Sequence, residues 1–87
     1  MSSLRERQLA EGIKNRLIAI QKSEQIYEKL SKWGRRALLM DDREIEKVAN
    51  SIASKVEKYA SRIETKTGNQ PDPQQVMAKI KEELDKI

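Results

Sequence analysis

The residues best suited to chemistry in this sequence form one short run, Lys32-Trp33-Gly34-Arg35-Arg36. Guanidinium groups bind phosphates and carboxylates through paired hydrogen bonds, and an indole ring stacks on a base or fills a pocket on another protein. The run therefore predicts a contact site for another macromolecule. A second interpretation stays open, in which Trp33 closes the chain's own core and the cations stabilise the carboxyl end of the preceding helix.

The composition argues against an enzyme. The chain has no Cys and no His, which removes the commonest general base and the preferred ligands of transition metals. The acidic run from Asp41 to Glu46 lacks the alternating oxygen ligands and central glycine of a calcium loop, and acids are normal in the first turn of a helix. We therefore expect a non-enzymatic protein with no metal and no cofactor.

The elements that position these residues are expected to be helices. The 87 residues are 37% charged and 37% hydrophobic with no Phe, which is typical of amphipathic helices with solvated faces. This length suits a single domain over residues 1–87. The sequence contains neither a stretch long and apolar enough to span a membrane nor a hydrophobic signal sequence at its start, so we expect a cytoplasmic protein.

The first helix is predicted over about residues 3–33. Ser3 and Glu6 have the spacing of a capping box, and Gly34 is expected to cap the far end in the left-handed conformation. Gly12 is a candidate point of close approach by another helix. Helical spacing places these residues on one stripe, with Glu24 as its only polar member: Leu9, Ile13, Leu17, Ile20, Tyr27 and Leu30.

The second helix is predicted over about residues 42–66 and the third over about 73–87. Asp41 is expected to cap the second helix, which should end at Gly68 because Pro71 cannot continue it. Asp72 and Pro73 are expected to begin the third helix. Apolar residues recur every three or four positions in both segments, at Ile45, Val48, Ile52, Val56, Tyr59 and Ile63 and at Val76, Ile80, Leu84 and Ile87.

These helices predict an all-α fold, a long antiparallel helical hairpin with a short third helix, either as a three-helix bundle or as a helical dimer. The third helix is too short to reach the tip of the hairpin, and an uncovered apolar tip is typical of an interface. We therefore expect a small adaptor or regulatory protein, a homodimer, that binds another protein through the tip and the basic first helix. The predicted partner-binding residues are Tyr27, Leu30, Trp33, Leu38, Leu39 and Met40.

The alternative is an accessory protein that binds nucleic acid. Residues 1–40 contain nine basic and four acidic residues, a net charge of +5, whereas residues 41–87 have a net charge of −1. Such a basic segment is the electrostatic signature of nucleic-acid binding, although acidic residues alternate with the cations and disfavour a membrane surface. The candidate residues are Arg5, Arg7, Lys14, Arg16, Lys22, Lys29, Lys32, Trp33, Arg35 and Arg36.

Overall fold

A computed structural model describes residues 3–86, and every regular element in this range is an α-helix. The helices are α1 (Leu4–Lys22), α2 (Ile26–Leu30), α3 (Lys32–Leu38), α4 (Asp42–Thr67) and α5 (Pro73–Asp85). The predicted all-α class is confirmed. None of the described helices is long and apolar enough to cross a membrane.

The predicted continuous helix over residues 3–33 is wrong, because the chain breaks at two serines. Ser23 and Ser31 have extended backbone, with ψ angles of 138° and 161°, respectively. The Ser23 hydroxyl accepts a hydrogen bond from the Gln25 amide at 3.1 Å, and the Ser31 hydroxyl accepts one from the Gly34 amide at 3.0 Å. Serine side chains thus replace helical backbone bonds at both breaks. Gly34 is buried inside α3 and is not a left-handed cap.

The second and third predicted helices are observed as α4 and α5. Asp41 Oδ1 accepts from the Glu44 amide at 2.8 Å and begins α4, and Gly68, with a φ of 74°, ends it. Asp72 forms a capping box with Gln75 at the start of α5, with Pro73 in the first turn. These ends were predicted correctly because their signals are local. Ile87, the predicted end of the third helix, lies outside the described residues.

Helices α1 and α5 both pack against α4 and both run antiparallel to it. Arg5, near the start of α1, contacts Glu57 and Glu64 in the second half of α4, whereas Glu83, near the end of α5, contacts Lys55. Both helices therefore run in the same direction along α4. The core between these elements consists of Ile13, Leu17, Ile20, Ala37, Ile45, Ala49, Ile52, Ala53, Val56 and Leu84.

Helix α3 packs against α1 and the end of α5, so part of the predicted tip is covered, whereas Tyr27, Leu30, Leu38 and Leu39 are exposed. The side-chain amide of Gln21 donates to the carbonyl oxygens of Ala37 and Met40, at 2.6 and 2.8 Å, and so fastens the end of α3 to α1. Arg36 Nη1 donates to the Leu84 carbonyl at the end of α5, 2.7 Å away. The short α5 therefore does reach residues 32–36. Ile45, which was expected to be uncovered, is fully buried.

Candidate protein-binding groove

An open groove of about 650 Å³ lies between α1 and α5. Its volume is in the range of ligand-binding clefts in proteins. We call it the α1/α5 groove. It is lined by the apolar residues Leu9, Ile13, Leu17, Trp33, Met77, Ile80 and Leu84 and by Arg5, Gln8, Gly12, Arg16 and Lys81.

The floor and walls of the groove come from the apolar stripes of its two helices. Leu17 and Leu84 on the floor are buried, with 1% and 4% of their surfaces exposed, because they also pack in the core. Leu9 and Ile80, higher on the walls, are half-buried, and Met77 is 51% exposed. The groove therefore presents apolar surface to solvent above a well-packed floor.

The lining residues have a spacing that suits a further helix. Four residues at positions i, i+3, i+4 and i+7 of a helix form the hole that receives one side chain of a neighbouring helix. On α1 this set is Leu9, Gly12, Ile13 and Arg16, and all four line the groove. On α5 the same spacing is formed by Met77, Ile80, Lys81 and Leu84, which also line it. Each wall thus contains one such hole.

Gly12 makes the hole on α1 deep. It is exposed, and a Cβ atom built on it would meet no neighbouring atom within 4 Å. The close approach of another helix that was expected at Gly12 is therefore not made within the described chain. A glycine inside a helix costs about 0.5–1 kcal/mol relative to alanine, and the fold itself gives no packing reason for this one.

Charged residues on the rim of the groove are basic. Arg5 Nε and Nη2 donate to the two carboxylate oxygens of Glu57, at 2.6 and 2.8 Å, and its Nη1 donates to Glu64. The hydrogen bond from Arg5 holds the pKa of the Glu57 carboxyl below its usual value. Arg16 and Lys81 stand on opposite walls, both are exposed, and neither forms an ion pair within residues 3–86.

A second cavity of about 410 Å³ continues the groove past Trp33. It shares Arg16, Trp33 and Lys81 with the α1/α5 groove and adds Tyr27 and Asp85, among other residues. Trp33 is half-buried against the core at the junction of the two cavities, as the second interpretation of this residue expected. The apolar surface therefore extends along the face between the two helices toward α2.

The structure divides the predicted partner-binding residues. Tyr27 and Trp33 line the second cavity, whereas Leu30, Leu38, Leu39 and Met40 line neither the cavity nor the α1/α5 groove. Most of the set is exposed, and Leu39 is 85% exposed. Met40 is half-buried and packs against the core. Of the six, only Trp33 also lines the α1/α5 groove, so the rest of that groove was not predicted from the sequence.

The predicted nucleic-acid residues do not share one surface. Arg7 and Lys14 line a shallow depression between α1 and α4 together with Glu11 and Glu46, whereas Arg16 lines the α1/α5 groove. Other members of the set are engaged within the chain: Arg5 binds Glu57 and Glu64, Lys32 lies 3.8 Å from Asp85, and Arg36 binds the Leu84 carbonyl. Lys22, Lys29 and Arg35 line neither the groove nor its extension.

A charge cluster that sequence reasoning missed holds α5 in place. Glu83 is buried, with 6% of its surface exposed, and lies within 3.6 Å of the amino groups of Lys55, Lys79 and Lys86. Burial opposes ionisation of this carboxyl, but the three lysines outweigh it and hold its pKa below the usual value. The contact from Glu83 to Lys55 fixes the end of α5 on α4, and with it one wall of the groove.

Comparison with protein-family models, with curated proteins and with solved structures gives no match for this chain. Within residues 3–86, no group of three or more acidic side chains is arranged to hold a metal ion.

Proposed function

We propose that this protein is a non-enzymatic interaction module that binds a helix of a partner protein in the α1/α5 groove. The observation that carries the proposal is the pair of holes on facing walls, one of them deepened by Gly12. Amphipathic helices bind such grooves through anchor residues at positions i, i+3 or i+4, and i+7. The proposal keeps the interaction role expected from the sequence and moves its centre from residues 27–40 to the groove.

The length of the groove sets the length of the bound helix. Its lining residues on α1 extend from Arg5 to Leu17, and the second cavity extends this line to Ile20. Arg5 and Ile20 are 15 residue steps apart, and at 1.5 Å per step they span roughly 22 Å, or about four helical turns. A partner segment of about 15 residues would therefore pack along the whole groove, in the position of a fourth long helix beside α1, α4 and α5.

Two other occupants are weaker proposals. A second copy of the chain would make the protein the homodimer expected from its size, and sedimentation at micromolar concentration distinguishes that case. Nucleic acid has less support, because several of the expected cations are engaged with carboxylates or a carbonyl of the same chain. The apolar lining of the groove also favours a helix over a phosphate backbone.

The test is binding of a neutral helical peptide. A peptide of about 16 residues with leucines at i, i+3, i+4 and i+7 and glutamine elsewhere is titrated into the protein, and the fluorescence of Trp33, the only tryptophan, is recorded. Because Trp33 lines the groove, we expect its emission to shift to the blue as the peptide excludes water. Amide chemical-shift changes should map to α1 and α5.

A groove-filling variant decides where the peptide binds. Gly12→Met places a long side chain in the hole on α1 and is compatible with a helix, since methionine has a higher helix propensity than glycine. Asn15→Met adds the same side chain to the same helix at an exposed position outside the groove. We expect Gly12→Met to weaken the peptide at least tenfold and Asn15→Met to leave it unchanged. Equal effects of the two variants, or no peptide binding to the unsubstituted protein, would overturn the proposal.

A further inference from the structure

We infer that the helix bound in the α1/α5 groove carries acidic residues along both edges of its apolar stripe. This inference rests on the proposed function and specifies the chemistry of the partner. It follows from the positions of the two rim cations that have no carboxylate partner within residues 3–86, Arg16 and Lys81.

The two cations lie on opposite walls of the groove. Arg16 is the last residue of the hole on α1, and Lys81 is the third residue of the hole on α5. A helix whose apolar stripe points to the floor of the groove turns one polar edge toward each wall. An acidic residue on each edge then meets one cation, whereas a basic edge would be repelled on both sides.

The other charged groups that line the groove and the second cavity have partners of opposite charge within the chain. Arg5 forms its ion pairs with Glu57 and Glu64. The Asp85 carboxylate, at the end of the second cavity, accepts a hydrogen bond from the Trp33 indole at 3.3 Å and lies 3.8 Å from Lys32 Nζ. Among the charged residues that line the groove, Arg16 and Lys81 are therefore the ones without an ionic partner in the described chain, and both are positive.

The experiment compares three peptides with the same leucine stripe and with glutamate, glutamine or lysine on its two edges. Two exposed ion pairs should make the glutamate peptide bind about fivefold more tightly than the glutamine peptide at about 50 mM salt. The advantage should fall to about twofold or less at about 500 mM salt, where exposed charges are screened. The lysine peptide should bind most weakly.

Charge reversal on the rim tests this preference, and charge reversal outside the groove is its matched control. The double variant Arg16→Glu/Lys81→Glu should prefer the lysine peptide. Lys58→Glu/Arg62→Glu lowers the net charge by the same amount at exposed positions of α4 outside the groove and should keep the preference for glutamate. Circular dichroism verifies that both variants are folded.

The outcomes separate this inference from the proposed function. If the glutamine peptide binds and Gly12→Met blocks it, but the glutamate peptide has no advantage, the groove binds helices and the inference of an acidic partner is wrong. If no peptide of the three binds, the proposed function itself is wrong. In a third outcome, a labelled oligothymidine displaces the glutamate peptide and fails to bind the double variant Arg16→Glu/Lys81→Glu. That result would assign Arg16 and Lys81 to phosphate binding and overturn the inference.

Discussion

The indole Nε1 of Trp33 donates a hydrogen bond to the carboxylate of Asp85, 3.3 Å away and 52 positions along the chain. This contact joins the start of α3 to the end of α5. Together with the bond from Arg36 to the Leu84 carbonyl, it places the tryptophan beside the end of α5, where its ring forms part of the groove wall. The residue that looked most like an exposed contact therefore has a structural partner and also lines the proposed binding site.

Replacing Trp33 should test both of these roles. Trp33→Ala removes a large, half-buried ring, so we expect the free energy of unfolding to fall by about 2–3 kcal/mol, below the cost of truncating a fully buried aromatic residue. Trp33→Phe keeps most of the apolar contact and loses the hydrogen bond, which should cost about 1 kcal/mol. Urea denaturation followed by circular dichroism measures both values. A Trp33→Ala variant as stable as the unsubstituted protein would show that the ring does not pack as described.

The side chain of Gln21 should contribute more to the free energy of unfolding than its half-buried position suggests. Its amide bonds two carbonyl oxygens at the end of α3, those of Ala37 and Met40. Gln21→Ala leaves both without this donor, and we expect a loss of about 1–2 kcal/mol in the free energy of unfolding. Gln8→Ala, at an exposed position of the same helix, is the matched control and should change stability by less than about 0.5 kcal/mol. Equal losses in the two variants would contradict the role of Gln21 in holding α3.

The parts of the fold that could be predicted are those with local signals. Asp41, Gly68 and Asp72 define the ends of α4 and α5 through side-chain caps and backbone conformation within a few residues. The break after α1 was missed because the apolar stripe continues through Ile20 and Tyr27 at helical spacing, although Glu24 interrupts it at the break. The sequence signals that indicate the two breaks are Ser23, beside that glutamate, and Ser31, three residues before Gly34.

The groove could not be predicted in the same way because it forms between helices far apart in the sequence. The apolar residues Ile80 and Leu84 were correctly assigned to one face of the third helix. The apolar pattern does not indicate on which side of α4 this face of α5 packs, or how far α5 lies from α1. That separation depends on side chains such as Lys55 and Glu83, whose pairing across 28 positions is a property of the folded chain.

Replacing Gly12 or Gly68 with alanine should change the stability of the protein in opposite directions. Gly12→Ala adds a methyl group that meets no atom within 4 Å and reduces the freedom of the unfolded chain, so we expect a gain of about 0.5–1 kcal/mol in stability. Gly68→Ala forces a side chain into the left-handed region, at a φ of 74°, and should cost about 1 kcal/mol. Thermal unfolding of the two variants measures the difference. A loss of stability in Gly12→Ala would indicate that the space above Gly12 is not open.

Acid should destabilise the protein below about pH 4.5 through Glu83. Its pKa lies below the usual 4.5 in the folded state, so the unfolded chain takes up the proton first as the pH falls. The stabilisation from its lysine partners is therefore complete above the unfolded value and is lost as the pH drops through the lower, folded value. Glu57, whose pKa is lowered by its hydrogen bond from Arg5, contributes in the same direction. Urea denaturation at several pH values between about 2 and 7 measures this dependence.

The Glu83→Gln variant isolates that contribution. Glutamine cannot ionise, so the variant should be less stable than the unsubstituted protein at neutral pH and should lose less stability on acidification. Glu46→Gln removes a carboxylate from an exposed position of α4 that forms no ion pair within residues 3–86, and it should retain the full acid dependence. Since the contact between Glu83 and Lys55 fixes the end of α5, Glu83→Gln should also weaken peptide binding at neutral pH. Unchanged binding in this variant would mean that the wall formed by α5 is held by its apolar contacts alone.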